Sequence, residues 1–246
     1  METDNIDNIL FVNKEIKEIR NIDSILWQLS ASPGGNTLIG GNMEAGFYGE
    51  VPVSELISGD ELAKKIGLTS GRSQNSNEPW LKFAYKGDIL YIAKKIFRIQ
   101  IDWNSLNEAN AVYGDRIIEH NGLKFAIMIP RGTGEDKQPD PKKFIKETRW
   151  SCLYKSMWNK LILPIHKQAP RNWGYGSNVE SPTEKWGPGY SDSDLTMKIY
   201  TWCQESAGSE FKVMVRGLLD VSYSDVMSRG IRGDYHGWRP VLKLVE

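Results

Sequence analysis

The sequence has few of the features that would assign it to a specialised class of protein. Two cysteines, Cys152 and Cys203, occur in 246 residues, and they are too few for the disulfide framework of a small secreted domain. The 31 Lys and Arg residues balance the 31 Asp and Glu residues, so a basic nucleic-acid-binding protein is not expected. The longest apolar runs, FAIMIP from Phe125 and LILPI from Leu161, are far shorter than the ~20 residues that cross a bilayer, so no membrane insertion is expected.

The chain also lacks the local patterns of common catalytic and metal sites. Its three histidines, His120, His166 and His236, show no HExxH-like spacing, and no GxSxG motif occurs. Asp192 and Asp194 are separated by one serine, as in oxygen-rich calcium loops, but a turn that caps the next element is the favoured interpretation. We therefore predict no catalytic residue, no metal site and no cofactor.

The amino-terminal residues do not resemble a targeting signal. The sequence METDNIDN is acidic and polar, whereas a secretory signal has a positively charged start followed by an apolar stretch. We therefore expect the chain to be made and folded in the cytoplasm of the cell that produces it, where paired thiols normally stay reduced.

Tryptophan, in contrast, is unusually frequent, with nine residues in the chain, so aromatic anchors are expected to matter for the fold or for binding. Arg216 and Arg239 lie in strand-like contexts flanked by apolar residues, and a buried guanidinium must be paired and hydrogen-bonded. We expect both arginines to be structural, with Glu205 or Asp220 as a partner. Three tryptophans are expected in the core: Trp158, Trp202 and Trp238.

The amino-terminal segment has the pattern of one amphipathic helix. From Asn5 to Leu29, apolar residues recur at steps of three or four with charged residues between them. The spacing resembles a heptad seam dominated by isoleucine, and such seams favour trimers. The alternative is a helix that packs on its own domain. We predict self-association, with a trimer favoured, through Ile9, Val12, Ile16, Ile19 and Leu26.

The chain is predicted to divide into three segments. Residues 1–30 form the amino-terminal helix, which anchors or oligomerises the protein, and residues 80–246 form the main domain. Residues 31–79 are a glycine-rich linker with a small helical segment, because glycines, asparagines and Pro33 break any periodicity in the first part. Ser58 is expected to cap the small helix.

The main domain is predicted to be α+β, with short strands, two helices and long loops. Lys86-Gly87-Asp88 and Asn121-Gly122 are typical of hairpin turns between apolar strands. Asp102 is expected to cap the first helix, and the second helix should run from Trp150 to Leu163. Residues 166–194 form a long loop, and three strand-like segments follow it.

Two loop regions have the composition of a recognition surface. They mix Tyr, Ser, Asp, Arg, Gly and His, which is typical of adaptable binding loops carried on a rigid scaffold. The alternatives are ordinary exposed loops and, for the aromatic residues of the long loop, anchors that pin the loop to the core. The predicted ligand-binding residues are Tyr223, Asp225, Arg229, Arg232, Tyr235 and His236, together with Trp173 and Tyr175 of the long loop.

The carboxyl-terminal residues resemble the formylglycine-generating-enzyme type of C-type lectin-like fold. In that family a Trp-Cys segment, an Arg-Gly-Gly segment and a final Gly-Phe-Arg occur in similar order. The resemblance implies a C-type lectin-like domain over residues 80–246. The copper-dependent oxidases of the family carry two cysteines just before the final motif, whereas residues 221–234 contain none, so oxidase activity is not expected. The matching positions here are Trp202-Cys203, Val215-Arg216-Gly217, Arg229, Arg232 and Gly237-Trp238-Arg239.

A longer set of motifs, from about Gly40 to the carboxyl terminus, resembles a group of bacteriophage virion proteins labelled tail-fibre or structural proteins. The resemblance implies a non-enzymatic protein of the virion, assembled in the host cytoplasm, that contacts other virion proteins. Attachment to a host-surface receptor or glycan is the leading function, and decoration of the capsid, neck or tail is the alternative. The motifs include GEVP from Gly49, SGDELA from Ser58, LYIAKK from Leu90, NGLKF from Asn121, TWCQE from Thr201 and GWRPVL from Gly237.

Overall fold

The protein is an α+β structure in which β-sheets predominate. A computed structural model describes residues 22–135, 140–143, 155–167, 184–207 and 209–245. The helices in these ranges are α1 (22–31), α2 (Gly59–Lys65), α3 (Trp103–Glu108), α4 (Met157–Ile165) and α5 (Asp192–Leu195). The strands are β1 (Gly40–Gly41), β2 (Ala45–Val51), β3 (Arg72–Ser73), β4 (Trp80–Tyr85), β5 (Asp88–Ala93), β6 (Arg98–Ile99), β7 (Tyr113–His120), β8 (Leu123–Met128), β9 (Tyr200–Ser206), β10 (Lys212–Gly217), β11 (Ser224–Ser228), β12 (His236–Trp238) and β13 (Val241–Val245).

The strands form two sheets that share the end of the chain. The seven-stranded sheet has the order β1-β2-β4-β5-β13-β8-β7, and its neighbours are all antiparallel. The six-stranded sheet has the order β11-β10-β9-β12-β6-β3, and in it β12 runs parallel to β9. The consecutive strands β12 and β13 therefore occupy interior positions in different sheets.

Both predicted hairpins are present. The turn between β4 and β5 has φ angles of 55° at Lys86 and 81° at Gly87, and the turn between β7 and β8 has 51° at Asn121 and 76° at Gly122. Two consecutive positive φ angles are the requirement of a type I′ turn, whose twist matches that of the paired strands.

The helix caps agree with those predicted from the sequence, whereas the start of one helix does not. The side chains of Ser58 and Asp102 accept the backbone N–H groups of Glu61 and Ser105, as expected of amino-terminal caps. Residues 150–154 of the helix predicted over 150–163 lie outside the described residues. In the described part, α4 begins at Met157, where Ser156 provides the cap, and ends at Ile165. Pro164 lies inside the last turn, where its fixed φ is compatible with helix and its missing N–H removes only a terminal hydrogen bond.

Residues 31–46 were predicted to be part of a linker, and this prediction is wrong where the region forms strands. Gly40–Gly41 is strand β1, and β2 begins at Ala45 and pairs with β4 of the main domain. The glycines allow close packing here: a Cβ on Gly40 would lie 2.3 Å from Cδ1 of Trp186. The small residues therefore make room for an aromatic ring instead of loosening the chain.

The segment that joins α1 to β1 is held to the seven-stranded sheet by buried polar contacts. The Gln28 side-chain oxygen accepts the backbone N–H of Ile89 at 2.9 Å. The Lys82 ammonium donates to Ser32 Oγ and to Asn36 Oδ1, each at 2.8 Å. These bonds fix residues 28–36 against β4 and β5, so this segment is part of the domain.

The buried tryptophans connect the sheets to the loops. Trp158, Trp202 and Trp238 are fully buried, as expected. The indole N–H of Trp202 donates to the Ile101 carbonyl and that of Trp158 to the Val221 carbonyl, each at 2.8 Å. Such bonds satisfy the one polar group of a large apolar side chain.

Arg216 and Arg239 are fully buried and lie over the ring of Trp158, at 5.7 and 5.6 Å from its centroid. Neither expected carboxylate forms an ion pair with Arg216, which donates to Asn159 Oδ1 at 2.8 Å, while the buried Glu205 accepts Arg131 Nε at 3.0 Å. Burial lowers the pKa of Arg216, and the nearby charges of Glu205 and Asp220 oppose this effect. Arg239 donates to Thr201 Oγ1 and to the carbonyls of Ala93, Lys94 and Leu195. Backbone carbonyls thus replace the carboxylates.

Candidate functional site

The predicted recognition residues separate into two groups. Tyr223, Asp225, Tyr235 and His236 gather around Tyr200 at one end of the six-stranded sheet. Arg229 and Arg232 contact the region of α3 instead, and Trp173 and Tyr175 lie outside the described residues. Within the first group, Tyr235 and His236 line an open recess together with Tyr200, and we call it the tyrosine recess.

The tyrosine recess has a volume of about 370 Å³. It lies where β9 and β12 begin side by side, because His236 pairs with Tyr200 in parallel register. The turn through Leu218, which has a φ of 87°, follows β10 and carries two leucines to the wall. The residues that line it are Lys198, Tyr200, Leu218, Leu219, Tyr235 and His236.

The rim of the recess is exposed and apolar, whereas one wall is buried and polar. Tyr235 is 63% exposed and Leu219 is 61% exposed, but His236 is only 7% exposed. The His236 ring stacks on Trp202, with 5.2 Å between ring centroids, and lies 5.5 Å from Tyr200. The prediction of His236 as an exposed loop residue is therefore wrong, because it opens strand β12 and its ring is enclosed by aromatic side chains.

His236 is unusual among the buried polar residues that the structure describes, because neither ring nitrogen has a hydrogen-bond partner. Burial lowers the pKa of His236 below its ordinary value, so the imidazole is neutral at pH 7. A neutral imidazole offers one N–H donor and one acceptor nitrogen. Both nitrogens are enclosed by protein atoms and have essentially no surface exposed to solvent.

Tyr223 and Asp225 are near Tyr200 but do not line the recess. The ring of Tyr223 is 6.0 Å from that of Tyr200. Asp225 belongs to strand β11, where it pairs with Val215, and is not in a loop as predicted. Burial raises the pKa of Tyr200 well above its ordinary value, and the adjacent Tyr223 and Asp225 raise it further. These residues hold Tyr200 in place.

Arg229 and Arg232 are engaged by the amino-terminal end of α3 and by strand β9. The Arg229 guanidinium lies 4.6 Å from the centroid of the Trp103 ring and donates to Ser206. Arg232 forms an ion pair with Asp102, the residue that caps α3. Burial opposes ionisation of Asp102, but its hydrogen bonds with Ser105 and Arg232 lower its pKa. These contacts indicate a structural contribution from both arginines.

A second recess, of about 490 Å³, adjoins Arg229 and shares no lining residue with the first. Its most exposed apolar residue is Phe211, at 70%. The lining residues are Asn104, Glu210, Phe211, Ser228, Arg229 and Gly230.

The two aspartates considered for calcium are occupied by structural contacts. Asp194 completes the capping box of α5 with Ser191. Asp192 accepts the backbone N–H of Val221 at 2.8 Å and lies 3.2 Å from Nε2 of His166. Across the described residues, no group of three His, Cys, Asp or Glu side chains is placed to hold a metal ion.

The predicted oligomerisation face can be followed only at Leu26. Its side chain is 58% exposed on α1, and Ile22, one turn earlier, is 55% exposed. Ile9, Val12, Ile16 and Ile19 lie outside the described residues. None of the described helices is both long enough and apolar enough to cross a bilayer.

Tyr200, Leu218, Leu219 and Lys198 line the recess but were not singled out in the sequence. The leucines follow a glycine at a strand end, a position that in sequence is indistinguishable from an ordinary turn. Tyr200 is the first residue of the buried strand β9 and has the pattern of a core residue.

The chain is an α+β protein with an open recess on its surface. No protein-family model and no curated protein matches the chain. Among solved structures, variable protein 1 of Treponema denticola is 10% identical, with a TM-score of 0.31 over 70% of this chain and 91% of that chain. PvdO of Pseudomonas aeruginosa is 14% identical, with a TM-score of 0.31 over 81% of this chain and 80% of that chain. Superpositions of this quality define neither a common fold nor a common function.

Proposed function

We propose that this chain is a non-enzymatic structural protein of a bacteriophage virion, in which a C-type lectin-like domain attaches to a receptor on the host surface. The sequence motifs from Gly49 to Leu242 support the virion assignment, and the carboxyl-terminal Trp-Cys and Gly-Trp-Arg motifs support the C-type lectin-like fold. The same resemblance supports a non-enzymatic protein, because the cysteine pair of the oxidases has no counterpart in residues 221–234.

The tyrosine recess is the observation that supports attachment. Exposed Tyr235 and Leu219 stand beside the buried His236, whose nitrogens have no partner among the described residues. Exposed apolar surface around a recess is typical of ligand-binding and protein-interaction sites, because a partner that covers it removes apolar area from water. Tyrosine is also among the residues that most often contribute large binding energies at interfaces.

A second function, decoration of the particle, is supported by α1. Ile22 and Leu26 are exposed on one side of this helix, one turn apart. An exposed apolar pair of this kind favours packing against another helix, either of a second copy or of a neighbouring virion protein. A protein that used only this contact would need no receptor site.

Cell binding by site variants distinguishes attachment from decoration. We expect Tyr235→Ala and Leu219→Asp to fold normally, since both side chains are more than half exposed, and to lose binding of the purified protein to host cells. Ile117→Asp is the matched control, because Ile117 is 50% exposed on β7 of the other sheet. Wild-type protein should also compete with infection. Decoration predicts no cell binding and no competition, and imaging of the particle would then place the chain away from a distal fibre.

A further inference from the structure

We propose that Lys82 and Asn36 form a site of covalent self-modification, at which the Lys82 amine displaces ammonia from the Asn36 carboxamide and an isopeptide bond results. The bond joins the segment that precedes β1 to strand β4. Neither attachment nor decoration is needed for this reaction, which involves only groups of the chain itself.

The two reacting groups are in contact. Lys82 Nζ lies 2.8 Å from Asn36 Oδ1, and because a C=O bond is about 1.2 Å long, Nζ lies at most about 4 Å from the carboxamide carbon Cγ. Asn36 is exposed, so its side chain has room for the small rotation that brings Cγ to the roughly 3–3.5 Å of a near-attack arrangement. Groups held in this way react as if present at roughly 10⁵–10⁸ M, which offsets the low reactivity of an amide.

The surroundings of Lys82 favour the neutral amine, which is the nucleophilic form. The side chain is fully buried, and Nζ lies 5.2 Å from the centroid of the Tyr48 ring. Burial lowers the pKa of Lys82 to about 8, although the nearby charge of Glu55 opposes this effect. About half of the Lys82 side chains are therefore neutral at pH 8, where an exposed lysine is almost entirely protonated.

Neighbouring groups hold the amine and the segment in place. Lys82 pairs with Tyr91 across the ladder between β4 and β5, and the Tyr91 hydroxyl donates to the Pro33 carbonyl at 3.1 Å. Ser32 Oγ accepts an N–H of Lys82 at 2.8 Å. A neutral amine has two N–H groups and one lone pair, so an amine that donates to Ser32 can still turn its lone pair toward Asn36 Cγ.

The reaction balances without an added reagent. The Nζ lone pair attacks Cγ and a C–N bond forms, while the bond between Cγ and the carboxamide nitrogen breaks. One proton of the amine passes to the departing nitrogen, which leaves as ammonia. The product is a secondary amide, and no atom is oxidised or reduced. Because Asn36 is exposed, water can carry the proton and the ammonia can escape.

The bond changes how the amino-terminal part of the chain is held. It closes residues 36–82 into a covalent loop that contains β1, β2, α2 and β3. Cross-links that close a loop reduce the freedom of the unfolded chain, so the bonded protein resists unfolding better than the amine form. A pull on α1 then reaches β4 through a covalent bond, and only unbonded chains keep a Lys82 amine that titrates.

Mass spectrometry of the full chain tests the reaction. Protein purified at pH 6 and then kept at pH 9 should lose the mass of one ammonia. Trypsin should then release a branched peptide that joins residues 21–64 to residues 73–86, because cleavage after Lys82 is blocked. The same branched peptide at the start of the incubation also supports the bond. An unchanged mass, or a loss of ammonia with only linear peptides, would overturn the proposal.

Two variants assign the bond to its residues. Asn36→Ala removes the reacting carbon at an exposed position, so the protein should fold and yield no branched peptide. Asn121→Gly is the matched control. It removes the single Asn-Gly pair of the chain, where a cyclic imide can also form with loss of ammonia, and it should leave the branched peptide unchanged. A branched peptide at Lys82 that persists in Asn36→Ala refutes the site.

The pH dependence of the rate identifies the nucleophile. Formation of the branched peptide should accelerate about tenfold per pH unit well below pH 8 and level off above it, because the rate follows the neutral fraction of Lys82. Imide formation depends on hydroxide and has no such plateau. A rate of branching that still rises tenfold per unit above pH 9 contradicts a buried amine as the nucleophile.

Discussion

Lys82 places an ammonium group inside the seven-stranded sheet, and the cost of that charge makes the stability of the protein depend on pH. The side chain is fully buried in β4 and contacts Ser32, Asn36 and the ring of Tyr48. Burial lowers the pKa of Lys82 from 10.5 to about 8, against an opposing effect of Glu55. Between these two pH values the unfolded chain keeps a proton that the folded chain has released.

The sign and size of the effect follow from this difference. Stability rises with pH wherever the unfolded state binds more protons, so the destabilising effect of the buried Lys82 charge is complete below pH 8 and declines as the pH rises above it. A shift of this size corresponds to roughly 3 kcal/mol in total, or about 1.4 kcal/mol per pH unit within the window. Buried tyrosines act oppositely near pH 10, since burial raises the pKa of Tyr91.

The contribution of Lys82 can be isolated by measuring the free energy of unfolding in urea for wild type and Lys82→Met between pH 7.5 and 9.5. The tyrosines contribute equally to both proteins, so the difference between the two proteins reports on the lysine. Wild type should gain about 2 kcal/mol relative to Lys82→Met over this range. Lys124→Met, which replaces an exposed lysine of β8 in the same sheet, should follow wild type. If the free energies of unfolding of wild type and Lys82→Met change with pH in the same way, Lys82 does not cause the pH dependence.

Three further changes test the core, the helix and the thiol. Trp238→Ala removes a fully buried indole and should cost ~3–5 kcal/mol in urea unfolding, whereas a loss below about 1 kcal/mol would contradict its place in the core. Removing residues 1–21 keeps Gln28 and its bond to Ile89, so the domain should stay folded while self-association decreases. Sedimentation that gives both forms the same number of chains would disprove that role. Burial raises the pKa of the Cys203 thiol well above its ordinary value, so in a Cys152→Ser background DTNB should react only after unfolding. Rapid labelling of the folded protein would show that the thiol is accessible.

The parts of the fold that the sequence predicts depend on residues close together in the chain. The Asn121-Gly122 turn needs two residues with positive φ, and the cap of α3 needs one carboxylate three positions before the N–H it accepts. Such rules hold wherever the local sequence occurs.

The tyrosine recess could not be predicted in the same way. It requires Tyr200 and His236 to meet through a parallel pair of strands, and parallel pairing leaves no local mark in either segment. The sequence singles out Tyr235 and His236, which both line the recess, but it does not distinguish the exposed ring from the buried one. That distinction depends on Trp202, which is 34 positions away from His236.

The position of the last two strands has a consequence for biosynthesis. Strand β12 fills the gap between β9 and β6, and β13 fills the gap between β5 and β8. Until residues 236–245 leave the ribosome, each sheet is split into two parts with unpaired interior edges, and such edges invite pairing with other chains. The domain therefore completes folding only after residues 236–245 have been synthesised. A chain that ends before residue 236 lacks both strands and exposes four strand edges at once, those of β9, β6, β5 and β8, which makes it a substrate for proteases and chaperones.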